Sequence, residues 1–425
     1  MIDLISPAAG GRRVWMRVGT LIDGVSAAPL HNANVVYDGK QIHFAGEDLP
    51  PRDLLRGGQR EPDHDLPQFT LLPGLTDAHT HFFLEGGELD PDKRSEYLKQ
   101  TPQELLEHAR QRLEKLVRLG IIATRDCGDK DGVGLALSRL SKSANRPLMP
   151  YVDSPGAAIH HRGRYGSFMA EPFEDCVTAR QCVEERVRAG ADRIKLIPTG
   201  IINFKKGAVT AAPQMTAERI AEFVAAAKEL GKQTLAHASG DDGIDHVIDG
   251  GVDTIEHGFF VRDDQLARMR DKQIAWVPTF APVQCQVDHA KWMGWDAEIV
   301  GNLKKILDAH AKSMVKAHAM GVQVIAGADA GSYGVAHGLG FLYELELMQR
   351  AGLSPLAVIN SATGAGSKRL AFREKFGQIR PGFLSRFIVT HHSPLEDVAN
   401  LSKERIVVFD GAVFAGGEGV DAKGL

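Results

Sequence analysis

Between residues 70 and 328 the chain alternates eight times between short strand-type runs and longer helix-type patterns. No other feature restricts the fold as much, because regular strand–helix alternation builds a parallel sheet with helices packed outside it. The strand-type runs fall at 70–78, 121–126, 147–153, 193–198, 233–238, 253–257, 274–280 and 322–328. Among the intervening segments, "TPQELLEHARQRLEKLVRLG" opens with the capping-box spacing of Thr101 and Glu104, and "TAERIAEFVAAAKELG" stops at Gly231. The pattern predicts an α/β fold with a (β/α)8 TIM barrel over 70–373, and a length of 425 residues leaves room for a smaller domain. Residues 13–46 alternate and carry "DG" turns, 47–68 read as a polar loop, and "GQIRPGFLSRFIVT" and "ERIVVFDGAVFAGG" read as strands again. Residues 1–69 and 374–425 are therefore expected to join as one small β-sandwich domain built from both chain ends.

A barrel enzyme carries its chemistry at the C-terminal ends of the strands. "PGLTDAHTH" places His79 and His81 two residues apart at the end of the first run, so both imidazoles share a face. The fourth run carries Lys195, the fifth ends on His237 in "TLAHAS", the sixth on His257 in "TIEHG", and Asp329 follows the eighth in "IAGADAG". One histidine at a strand end is ordinarily a core or surface group, but this whole set points to a metal site. Neutral imidazoles and carboxylates bind zinc at about 2.0–2.2 Å, whereas a lysine ammonium has no lone pair. Lys195 is thus either a barrel lysine paired with a carboxylate, beside a single metal, or a ligand after reaction with CO2.

The stretches "PGLTDAHTH", "RIKLIPTG", "TLAHAS", "TIEHG", "GADAG" and "GQIRPG" resemble the amidohydrolase superfamily, in order and in spacing, over most of the chain. Within it the chain looks most like the imidazolonepropionase-related group that includes Xaa-Pro dipeptidases with a carboxylated lysine. The resemblance implies two divalent metal ions, expected to be zinc: His79, His81 and Asp329 on one, His237 and His257 on the other. A CO2-derived carbamate on Lys195 and a hydroxide would bridge them. Asp329 would be the catalytic general base, then general acid, in cleavage of an amide-type C–N bond of dipeptides or N-acyl amino acids. Two departures bear on the substrate: Met215 stands near the position of a carbonyl-polarising Tyr, and the loop after the third run reads "AIHHRGRYGSF" instead of a Gly-Gly-His pattern. Near the C-terminus "GFLSRF" replaces the Gly-x-x-Ala-Asp of many relatives.

The same loop supplies His160, His161, Arg162, Arg164 and Tyr165 as candidate substrate contacts, and His337 lies after the eighth run. An arginine there can hold a substrate carboxylate as a bidentate pair. Asp126 reads as a structural acid, and His108, His289, His310 and His318 as surface residues. A cyclic-amide hydrolase or deaminase is the second reading, and an inactive metal-binding scaffold the third. The deaminase pattern usually adds a glutamate near His237, which "AHASGDDG" does not contain. A net charge of −4 without a basic run gives no nucleic-acid footprint. No run of about 18 apolar residues and no signal-peptide pattern is present. Four cysteines without a CxxC pair suggest a reducing compartment. The expectation is a cytoplasmic enzyme with a small-molecule substrate, with neither nucleic-acid nor membrane partners, and with a homo-oligomer left open.

Overall fold

The computed structural model describes residues 5–8, 11–370, 372 and 374–416. Residues 1–4, 9–10 and 417–425 of the expected terminal segments, and the expected boundary residue 373, lie outside the described residues. In chain order the strands are β1 (Val14–Leu21), β2 (Leu30–Tyr37), β3 (Ile42–Gly46), β4 (His64–Pro73), β5 (Leu75–Thr80), β6 (Ile121–Asp126) and β7 (Tyr151–Asp153). There follow β8 (Ile194–Leu196), β9 (Thr234–Ala238), β10 (Thr254–His257), β11 (Ala275–Val277), β12 (Arg386–Thr390), β13 (Arg405–Phe409) and β14 (Ala412–Gly416). The fold is mixed α/β, with two wholly parallel sheets, β5-β6-β7 and β11-β10-β9-β8.

The first expected strand is two. It breaks at Gly74, where a Cβ would meet the Ile122 side chain at 2.3 Å. On one side of the break β4 pairs with β1 and β12; on the other, β5 begins the parallel sheet beside β6. The polar stretch read as loop contributes His64–Leu66 to β4, held by parallel pairing to β1, with Leu66 buried in the core of that sheet.

The eighth expected strand forms no continuous ladder among the described residues. Val324 makes an isolated parallel bridge to Trp276 on β11, and Ala330 another to Thr80 on β5. Its backbone nevertheless bonds to both sides: Ile325 N donates to Trp276 O at 2.9 Å, and Ala78 N donates to Ala326 O at 3.0 Å. Gly327 permits this approach, since a Cβ there would lie 2.9 Å from His79 N. A further parallel bridge, Ile159 to Leu196, joins the segment after β7 to β8.

Both chain ends meet in one seven-stranded sheet, β14-β13-β12-β4-β1-β2-β3. Alternate residues Val14, Met16 and Val18 of β1 pack with Leu71, Phe387, Val389, Ile406 and Val408. The helices bury one stripe each. In Pro102–Leu116 the buried residues are Leu105, Ala109, Leu113 and Leu116, at the spacing of one helical face, and Thr101 and Glu104 form the capping box. Among the described residues no helix is long and apolar enough to cross a membrane.

Candidate active site

The C-terminal ends of β8, β9 and β10, with the segment around residue 329, face a cavity of about 540 Å³, within the usual range for small-molecule sites. Lys195, His237, His257, Asp329 and His81 line it. His79, fully buried, lies behind them, its Nε2 3.6 Å from Asp329 Oδ1; His81 Nε2 lies 3.5 Å from the same oxygen. The ring centroids of His79 and His257 are 4.9 Å apart, and those of His237 and His257 4.6 Å.

Each imidazole has one nitrogen fixed by an oxygen. His79 Nδ1 meets Glu256 Oε2 at 2.6 Å, His81 Nδ1 meets Gly128 O at 3.2 Å, and His257 Nδ1 meets Thr279 Oγ1 at 2.8 Å. His237 is held by the other nitrogen, Nε2, 3.3 Å from Gly200 O. A proton shared with such an oxygen leaves the opposite nitrogen with its lone pair free, the arrangement a metal-binding histidine needs. His79 Nε2 is buried and has no hydrogen-bond partner, which fits a cation as its missing neighbour. His79, His257 and Asp329 place one donor atom each within 4.8 Å of one another. His79, Cys127 and Glu256 also lie close together, but there Nδ1 and the carboxylate already bond each other and burial pushes the thiol up to about 12.

Burial keeps the four imidazoles uncharged. Burial, helped by the charge of Lys195, lowers His81 and His237 to about 3 and holds His79 and His257 well below the usual imidazole range. Burial pushes Asp329 up to about 7, with Lys195 pulling the other way. Lys195 is 2% exposed, and its ammonium forms no ion pair among the described residues. A buried ammonium without a carboxylate is costly.

The backbone carries strain at this place. His257, Thr279 and Asp329 have φ of +68°, +50° and +54°, a left-handed region costing non-glycine residues on the order of 1 kcal/mol each. Asp329 is held there by its N–H donating to His79 O at 2.8 Å, which ties the two groups together.

Two residues behind the site went unnoticed in the sequence. Arg125 Nη2 donates to both oxygens of Glu256 at 2.7 Å, and its Nε donates to Ala78 O at 2.6 Å. The available signal was a charged residue inside each of the fully buried strands β6 and β10. Asp126 accepts from Phe82 N, Gly128 N and Ser154 Oγ, a bracing role.

The candidate substrate contacts divide. Tyr165 lines the cavity, its ring centroid 5.2 Å from that of His237. His160 is buried with both ring nitrogens on loop carbonyls, those of His161 and Ala170. His161 meets Glu174 at 2.6 Å, Arg162 pairs with Asp175, and Arg164 donates to Ala212 O. None of these four lines the cavity, because the loop's own acids and carbonyls, and for Arg164 the Ala212 carbonyl of the segment after β8, take them up. His337 sits behind His81, 3.2 Å from its carbonyl and stacked on Phe82. Met215 belongs to the hydrophobic core. His310 is not at the surface: it is 2% exposed, stacks on Phe259 and meets Pro278 O at 2.9 Å, and burial lowers it to about 4. Its helix is amphipathic, and an imidazole with one partner can join the apolar side.

Parallel strands with imidazoles, a lysine and an aspartate gathered at one cavity define a hydrolase-type site on an α/β scaffold. The chain belongs to the amidohydrolase family: residues 70–414 match the sequence model of the Amidohydrolase family. It is similar to the ochratoxinase of Aspergillus niger, 26% identical over 439 residues that cover 95% of this chain and 86% of that protein. Among solved structures it is similar to a Xaa-Pro dipeptidase with methionine bound in the active site, at a TM-score of 0.78 and 26% identity, covering 95% of this chain and all of that one. The crystal structure of A. niger ochratoxinase shares the fold at a TM-score of 0.79 and 24% identity, with 97% of each chain covered.

Proposed function

We propose that the protein is a metal-dependent hydrolase that cleaves an amide-type C–N bond of a small-molecule substrate. The carrying observation is the convergence of three neutral imidazoles, Lys195 and Asp329 on one cavity, with His79 directly behind them, its Nε2 buried and unpartnered. We read the fold as a (β/α)8 barrel over 70–373, supported by the bridges that link the two parallel sheets through residues 159 and 324–330. Residues 1–69 and 374–425 would form the small domain. A sandwich there is supported by Tyr37 of β2 meeting Phe387 of β12 at 5.0 Å, although two strands separate them in the sheet.

Two divalent cations, zinc by ligand chemistry, would be held by His79, His81 and Asp329 and by His237 and His257. Lys195, as a carbamate, would be a further ligand; its burial without an ion-pair partner among the described residues supports that reading. Bound there, the cations would supply Lewis acidity at the scissile carbonyl and a water acidic enough to ionise near neutral pH. Asp329 accepts the proton of the attacking water and delivers it to the leaving nitrogen. Tyr165, its phenol kept protonated by burial, donates to the carbonyl oxygen. Asp329 is the one carboxylate among the described lining residues, so a deaminase mechanism with a separate acidic general acid lacks its residue here.

Neutral N-acyl anilides, dipeptides, N-acyl amino acids and cyclic amides form the first screen. The described cysteines are unpaired, which supports a reducing, cytoplasmic setting. Elemental analysis should find about two metals per chain, and a chelator should abolish hydrolysis that added zinc restores. A metal-replete protein inert to the whole screen, or hydrolysis indifferent to chelation, would count against the proposal; the former outcome would favour the scaffold.

A further inference from the structure

Away from the five ligand-type residues that line it, the cavity wall is largely apolar: Phe168, Ile197, Ile201, Phe204, Phe259 and Val283 form much of it, beside a few hydroxyl groups, Arg94 and Gln286. Three large hydrophobic side chains on its lining stay in contact with solvent, Leu98 at 47% exposure, Phe168 at 36% and Ile201 at 54%. Chains rarely leave such groups clustered in water unless something covers them.

The charges point the same way. Besides Lys195 and Asp329, Arg94 is the one charged residue among the described lining residues. Its guanidinium is already engaged. Nη1 donates to the carbonyls of Glu85 and Glu88, Nη2 donates to Gly331 O at 2.9 Å, and the group lies 4.2 Å from the centre of the Tyr333 ring. Arg94 thus ties the loop after β5 to the loop after Asp329. The arginines expected to hold a substrate carboxylate, Arg162 and Arg164, are exposed and occupied by Asp175 and by Ala212 O. A carboxylate seated along the apolar wall, away from Lys195, would be desolvated with Arg94 as its one cationic neighbour, whose guanidinium is already bonded to three carbonyls, and a poorly paired buried charge is disfavoured.

We infer that the site takes neutral amides carrying a bulky apolar acyl or aryl group and disfavours substrates with a free carboxylate. This rests on the amide-hydrolase reading for its chemistry, but not for its geometry. The apolar group would lie along Phe204, Phe259 and Val283 and leave the cavity past Ile201 and Leu98, with the amide carbonyl toward His257 and Asp329.

The test uses the zinc-loaded full chain and two matched sets of compounds. In the first, kcat/KM is compared for acetanilide, octanoyl anilide and 4-octanamidobenzoic acid. Each buried methylene is worth roughly fourfold, so burying about half of the added chain should favour octanoyl anilide over acetanilide by about 60-fold. The carboxylate of the third compound should cost at least ~10-fold. Ile201→Ser should narrow the octanoyl-to-acetyl ratio by roughly 10-fold, and Leu98→Ser should narrow it as well. In the second set, calorimetry compares binding of the uncleavable ketone octanophenone with that of 4-octanoylbenzoic acid, with the neutral ketone expected to bind at least ~10-fold tighter. If no amide is cleaved but the ketone preference holds, the hydrolase reading falls and this inference stands. Equal or tighter binding of the acid, or no binding of octanophenone, overturns it whether or not any amide is cleaved.

Discussion

His79 Nδ1 lies 2.6 Å from Glu256 Oε2, and both oxygens of that carboxylate are bonded by Arg125. The relationship fixes more than one ring. It orients His79, sets its tautomer, and connects the ends of β5, β6 and β10 through side chains that are fully buried. A carboxylate behind a metal-binding histidine typically tunes affinity by 10–100-fold.

Glu256→Gln should therefore weaken zinc binding by roughly 10–100-fold, read by competition with a chromogenic chelator. It should also destabilise the fold by about 3 kcal/mol or more, since the Arg125 charge stays buried while its partner's charge is gone. Unchanged zinc affinity in a folded variant would remove Glu256 from the site.

Lys195→Ala should hold fewer metals than the unaltered chain and lose activity, with partial rescue by short carboxylic acids that can replace a carbamate. Protein prepared with isotope-labelled bicarbonate should show a carbamate resonance that is absent in the variant. A free amine in a fully metal-loaded crystal would refute the carbamate.

Asp329→Asn should retain much of its metal, since an amide oxygen can still coordinate, yet lose at least ~10²-fold in kcat because it cannot accept the proton. Near-normal turnover in the metal-loaded variant would assign the proton transfer elsewhere.

The site residues were legible because the histidines and Asp329 sit at or just past the end of a strand-type run, a position with a fixed meaning in an alternating α/β chain, and Lys195 is a charge inside the fourth run. Glu256 was hidden beside His257, and its partner Arg125 is 131 residues away, so no local pattern couples them. The segment 322–328 reads as a strand from Val322, Val324 and Ile325, but Gly327 and small residues let it sit between its neighbours through scattered bonds instead of a ladder. The arginines of the loop after β7 looked available because their partners, Asp175 for Arg162 and the Ala212 carbonyl for Arg164, are brought in by turns of chain that sequence spacing does not position. Long-range pairing, more than local propensity, decided what could not be read.

The remaining prediction concerns pH and lies one layer out. Glu344, fully buried on the helix Leu339–Arg350, accepts from Phe280 N at 2.9 Å and Ala281 N at 2.7 Å. Those bonds hold the turn in which Thr279, at positive φ, meets His257. Burial pushes the Glu344 carboxyl up to about 8, with the two N–H groups opposing. A carboxyl whose folded value is raised favours the folded state fully below its unfolded value of 4.5, and this contribution is lost as pH rises through about 8. Glutamine cannot titrate. The stability of the unaltered chain relative to Glu344→Gln should therefore decline between about pH 5 and 8, by no more than about 1.4 kcal/mol per pH unit. Denaturant unfolding of both proteins across that range measures it. A difference that stays level, or grows toward pH 8, would mean that the two N–H groups outweigh burial and keep the carboxylate ionised behind the His257 turn.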